Sequence, residues 1–191
     1  YDMNKDIRGT VGTDDSEGNA IYVVNAQSGQ LIWKAVRGSG GAGATVFEHP
    51  RLTDSIPSTL SVGDTDGDGF TDRIVVGDTG GNVWRADIHG KDTSRWKLTQ
   101  LASLGRHASG GIANDRRFFH RPDLVPSKDS DGMFDAIVIG SGNRPDPLDK
   151  GGLTTNYAFM IKDRDTAPGS GVEESIQVAQ LGDVTSNCLQ S

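Results

Sequence analysis

Three times along the chain, a short run of β-branched residues meets a glycine-containing turn. A second apolar run with an aromatic residue follows each time. The first unit has Ile21, Val23 and Val24, a turn at 27–29, then Leu31, Ile32 and Trp33. The second has Ile74, Val75 and Val76, a turn at 78–81, then Val83 and Trp84. The third has Ile137, Val138 and Ile139, a turn at 141–143, and later Tyr157, Phe159 and Ile161. Runs of this kind, bounded by Gly, Asp and Asn, form strands and hairpins. The units recur roughly 50–65 residues apart, too far for one hairpin and suited to a four-stranded blade with loops of variable length. Further strands are expected at 58–62, 96–101 and 118–125. Elsewhere Gly and Pro recur too often for a helix of more than about two turns.

The sequence therefore predicts an all-β fold, a partial β-propeller of about three blades. A β-sandwich is the competing arrangement. The whole of 1–191 reads as one propeller domain, with blade-like units at 1–50, 51–110 and 111–170 and the start of a further unit at 171–191. A propeller usually needs at least four blades. Exposed blade edges and faces then require neighbours, either the remainder of the propeller from the same protein or another chain. The opening residues Tyr1, Asp2 and Met3 resemble neither a start nor a signal peptide, and the chain reads as cut from something longer.

Inside the second unit lies the acidic stretch Asp64-Thr65-Asp66-Gly67-Asp68-Gly69-Phe70-Thr71-Asp72. Asp64, Asp66 and Asp68 occupy positions 1, 3 and 5 of a loop. Phe70 at position 7 can offer its backbone carbonyl, Asp72 closes the loop at position 9, and Gly69 permits the sharp turn. Calcium takes six to eight oxygen ligands in a forgiving geometry, and this spacing wraps oxygens around one point. An EF-hand would continue to a Glu at position 12, where this chain has Val75. The loop is thus EF-hand-like in its first half, and Ca2+ is the expected cofactor. Magnesium, which demands strict octahedral geometry and keeps its water, fits less well. A weaker echo runs from Ser127 to Asp135, with Asp129, Asp131 and Asp135 at positions 3, 5 and 9 but no acid at position 1. It reads as the equivalent blade position, with its metal lost.

Other features carry less chemistry. The chain has 19 Lys+Arg against 26 Asp+Glu, a formal net charge of −7, which argues against nucleic acid as a partner. No apolar run approaches a membrane span. The G-x-G-x-x-G pattern at 38–43 lacks the helix that a dinucleotide site needs and reads as a flexible loop. His49, His89, His107 and His120 show no metal-ligand spacing and read as surface or packing residues. The run containing Arg116 and Arg117 reads as a solvated loop entering a strand. Trp33, Trp84 and Trp96 are expected to fill space between blades. The single Cys188 forms no disulfide within the chain. No catalytic constellation is recognisable, so the chain is not expected to be an enzyme.

Two known patterns match. The stretch from Val62 through the acidic loop to Gly77 is similar to the FG-GAP repeat of integrin α propellers. The strand–turn–strand around Asn25, Gly29 and Trp33 looks like a quinoprotein-type propeller repeat. Both together, with residues 55–58, 77–87, 140–144 and the strand ending at Asp163, resemble the C-terminal propeller of PilY-type proteins of the bacterial type IV pilus machinery. The resemblance implies a calcium-binding propeller at the cell surface or pilus tip, with a periplasmic or outer-membrane-associated pool. The metal would be held by Asp64, Asp66, Asp68, Phe70 and Asp72. Implied partners are minor pilins or other pilus components, and a host or abiotic surface; implied roles are pilus biogenesis, adhesion and twitching motility. Two other readings stay open: a quinone-dependent dehydrogenase on a similar propeller, and a generic extracellular FG-GAP adhesion module.

Overall fold

The computed structural model describes residues 11–146, 153–169 and 175–186. Cys188 lies outside them. The described residues contain twelve strands and, besides them, only single turns of 3-10 helix. No helix among them is long and apolar enough to cross a membrane.

The strands form three sheets in chain order. The first contains β1 (Ala20–Val24), β2 (Leu31–Arg37), β3 (Gly41–Ala42) and β4 (Val46–His49), in the order β1-β2-β4-β3. The second contains β5 (Ser61–Gly63), β6 (Arg73–Gly77), β7 (Asn82–Asp87), β8 (Lys97–Ser103) and, far later in the chain, β12 (Ile176–Gln177), in the order β12-β8-β7-β6-β5. The third contains β9 (Asp123–Asp129), β10 (Gly132–Gly140) and β11 (Ala158–Asp163), in the order β11-β10-β9.

Alternation along the strands of the second sheet builds two cores, one on each face. Ile74, Val76, Trp84, Ala86 and Leu98 face the first sheet and pack with Ile21, Trp33 and Ala35. Val75, Val83, Leu101 and Ala102 face the third sheet and pack with Ile137, Ile139, Phe159 and Ile161. Every residue of β6 and β7 is consequently buried. The tryptophans do fill the space between sheets. The Trp33 and Trp96 rings meet edge-on at 5.9 Å, and the Trp84 indole Nε1 donates to Asp78 Oδ2 at 2.6 Å.

Four details depart from the sequence reading. β4 runs parallel to β2. The glycines at 38–43 make this possible: Gly40 and Gly41 take positive φ, the chain doubles back, and Gly41–Ala42 becomes the short strand β3 instead of a flexible loop. Of residues 171–191, expected to open a further unit, the described part 175–186 contributes β12, which adds parallel to β8 at the edge of the second sheet. The strand expected at 118–125 starts only at Asp123, because Phe118 is an entirely buried plug between the second and third sheets. Arg116 and Arg117 are buried and not solvated: Arg116 donates to the carbonyls of Leu104 and Thr155, and Arg117 pairs with Asp115 at 2.9 Å.

Candidate metal centre

The acidic loop connects β5 to β6, two strands that pair antiparallel with Gly63 opposite Arg73. The Asp72 amide donates to the Gly63 carbonyl at 2.9 Å, which closes the neck. Between these pairs the chain makes a lobe held by its own carboxylates. Asp64 accepts from the Gly67 amide at 2.7 Å through Oδ1 and from the Gly69 amide at 2.8 Å through Oδ2. Asp66 accepts from the Asp68 amide at 3.1 Å, and Asp68 from the Phe70 amide at 2.8 Å. Asp residues favour such turns because a short carboxylate reaches an amide two residues on. Gly67 and Gly69 take φ of 80° and 88°, a region that strains residues with a Cβ.

These turns aim the carboxylates inward. One oxygen each from Asp64, Asp66 and Asp68 lies within 4.8 Å of the others, and all three residues are exposed. Three hard oxygen ligands converging in water-accessible geometry fit a divalent cation of the calcium type. The Phe70 ring is exposed, so a ligand from this position would be its carbonyl.

Asp72 behaves differently. It is buried, and its Oδ2 accepts from both the amide and the hydroxyl of Thr65, at 2.8 and 2.9 Å. Its Oδ1 lies 2.8 Å from Nδ1 of His89. Burial pushes the Asp72 carboxyl up, but the His89 and Thr65 hydrogen bonds outweigh it and hold the group below the usual carboxylate range. The same hydrogen bond raises His89 above an ordinary histidine. Asp66, Asp72 and His89 form a second convergent group, again with one ligand atom each within 4.8 Å of the others. Asp66 is therefore common to both groups, and Asp72 joins the loop at its base.

His89 corrects the reading that the histidines are only surface or packing residues. Strand register brings it there. The hairpin places Arg73 opposite Asp87, and the Ile88 amide bonds the Asp72 carbonyl at 2.7 Å. Counting back across the 78–81 turn brings His89 to the loop neck. His107 is a second correction, with its Nε2 2.7 Å from the fully buried Asp54. His49 is the packing residue expected: it sits edge-on to Trp84, and burial lowers its pKa to about 4, which keeps it neutral.

The echo at 127–135 is the β9–β10 connection, in the same place in the third sheet as the acidic loop in the second. It does not wrap. Asp129 pairs with Gly132, leaving a two-residue turn, and Asp135 lies inside β10 opposite Pro126. Asp129 is held by Lys162 at 2.7 Å and by Arg164 at 2.8 Å, side chains that reach over from β11 and just beyond it.

No known family profile matches the chain. A type IV pilus biogenesis factor PilY1 homolog from Xylella fastidiosa (strain Temecula1 / ATCC 700964) is 30% identical over 112 residues, 58% of this chain and 8% of that protein. The crystal structure of the Pseudomonas aeruginosa PilY1 C-terminal domain superposes with a TM-score of 0.55 at 16% identity, over 82% of this chain and 34% of that one. The chain thus spans about a third of the solved domain and a small part of the homolog. The PilY-type resemblance and the partial β-propeller are both borne out.

Proposed function

We propose that this chain is a calcium-binding propeller segment of a type IV pilus biogenesis factor, and that its role is to bind rather than to catalyse. The observation that carries the reading is the convergence of Asp64, Asp66 and Asp68 on one point, in a loop whose own amides pre-orient the carboxylates. Asp72 and the Phe70 carbonyl complete the oxygen set. A bound cation would neutralise these carboxylates and stiffen the entry to β6, so that binding adds to folding free energy. The likeness to a pilus biogenesis factor supports the biological setting. In that setting the segment sits at the cell surface or pilus tip, with a periplasmic or outer-membrane-associated pool. It contacts minor pilins or other pilus components and the remainder of its own propeller, and it supports assembly, surface attachment and twitching motility.

Calorimetry with calcium and magnesium tests the chemical part. One calcium per chain should bind at about 10⁻⁶ to 10⁻³ M, with magnesium weaker. Equal or tighter magnesium binding would overturn the metal assignment. The biological part is tested by Asp64→Ala in the full-length protein, expressed at wild-type level. Reduced piliation and twitching are expected, and normal values in a strain shown to have lost calcium binding would leave the site structural only.

A further inference from the structure

Both ends of the acidic loop grip the third sheet. At the entry, the buried Ser61 hydroxyl donates to the Pro122 carbonyl and accepts from Arg121 Nε at 3.1 Å. A Cβ on Gly63 would stand 2.8 Å from the Leu124 side chain, so β5 lies directly on β9. At the exit, the residue after Asp72 is Arg73, which is fully buried. Its Nη1 bonds Asp135 Oδ2 on β10 at 2.7 Å, and its Nη2 donates to the Asp165 carbonyl at 2.8 Å, just past β11. It also bonds Asp87 on β7, at 3.3 Å from Nε and 3.2 Å from Nη2. Arg85, next to it in the sheet, bonds Asp163 and Asp165, each at 2.7 Å, and Asp87 at 3.0 Å. Two guanidinium groups thus bind three carboxylates across the seam between the second and third sheets, Asp135, Asp163 and Asp165, and share Asp87 within their own sheet. The neck bond from Asp72 to Gly63 ties the entry grip to the exit grip.

We propose that the acidic loop and the seam between the second and third sheets act as one unit: a divalent cation in the loop tightens the seam, and Arg73, a positioning residue, transmits the effect. This rests on the calcium reading above. The physical route is short and covalent at both ends. A cation that draws Asp64 and Asp72 toward one centre fixes the start of β6 and the end of β5. Those two strand ends carry Arg73, Ser61 and Gly63, which make the cross-sheet contacts. The buried guanidinium has little freedom, because removing it from Asp135 leaves a carboxylate in a dry site with reduced compensation. Coupling is reciprocal, so a change in the seam must alter the loop's affinity for the cation.

Hydrogen exchange on the unmodified chain, with and without saturating calcium, is the direct test. Exchange of the amides at 123–140 should slow about fivefold or more when calcium binds, although none of them lies in the loop. Asp135→Asn, on the third sheet and away from the loop, should weaken calcium binding by about fivefold or more in calorimetry. Asp129→Asn, on the same sheet but outside the seam, should leave the affinity unchanged. If calcium binds and protection stays confined to 61–73, the inference is wrong while the calcium reading stands. An Asp135→Asn protein with wild-type affinity would overturn it equally. If Asp135→Asn fails to fold, the exchange measurement on the unmodified chain still decides. No calcium binding at all would remove both the reading and the inference.

Discussion

Two nine-residue stretches, 64–72 and 127–135, share Asp at their third, fifth and ninth positions, occupy the same connection in successive sheets, and fold in opposite ways. In the first, strand pairing stops at Gly63 and Arg73, so the chain from Asp64 leaves the ladder, the Asp64, Asp66 and Asp68 carboxylates converge, and buried Asp72 closes the neck. In the second, pairing continues to Asp129 and Gly132, so Asp129 and Asp135 are held in the hairpin ladder and Asp131 sits in its two-residue turn. The first stretch gathers negative charge and has His89 as a basic neighbour at its base. The second has its charge met by Lys162 and Arg164, which also stack on Phe134 at 5.0 and 5.5 Å. An acidic pattern can therefore gather its carboxylates toward one point only where the strand register lets the chain wrap and no side-chain cation arrives first.

The largest test of this contrast is Asp72→Ala. Asp72 is buried and holds Thr65 and His89, so its loss should cost about 3 kcal/mol even without calcium and should abolish calcium binding. Urea unfolding in chelator, beside calorimetry, measures both. A variant with wild-type stability would show that the neck does not depend on this carboxylate.

Asp64→Ala should act differently. Its carboxylate is exposed and only caps two loop amides, so in chelator its loss should cost less than about 1 kcal/mol. With calcium at a hundred times the wild-type dissociation constant, the variant should lack the roughly 2.7 kcal/mol of ligand stabilisation that the parent gains. Melting curves at several calcium concentrations separate the two contributions.

Removing both cations from the second stretch sharpens the comparison from the other side. The double variant Lys162→Ser, Arg164→Ser should change stability little, because both pairs are screened by solvent. It should still bind no calcium through 127–135, since the two-residue turn cannot wrap. A second calcium in titration of this variant would show that charge, and not register, separates the two stretches.

The smallest effect concerns acid. Hydrogen bonds from Arg164 and then Lys162 hold Asp129 well below the usual carboxylate range. A depressed carboxylate contributes stability above its unfolded pKa of about 4, and that contribution is lost as pH falls through the lower folded value. The melting temperature of the wild type should therefore fall slightly more below about pH 4 than that of Asp129→Asn. Identical acid profiles would show that the pair is screened away.

Sequence periodicity carried much of this. Short β-branched runs bounded by Gly and Asp mark strands whatever their partner, so Ile21, Ile74 and Ile137 announced three strand pairs before any contact was known. The loop at 64–72 was legible for the same reason: Asx turns and glycines act over two or three residues, and local chemistry is written in local order. What the sequence left undecided depends on contacts between residues far apart in the chain. Arg73 reaches Asp135, Arg85 reaches Asp163 and Arg116 reaches Leu104 and Thr155 only after the sheets stack, so their burial has no local signature. His89 meets Asp72 only because the hairpin register brings position 89 back to the loop neck. The fate of the echo at 127–135 was also a tertiary matter, because Lys162 and Arg164 arrive from β11 and just beyond it, about thirty residues away. Local sequence fixes which residues can turn or extend, whereas strand register and sheet stacking decide which charges meet, since Coulomb and hydrogen-bond energies depend on distance in space and not along the chain.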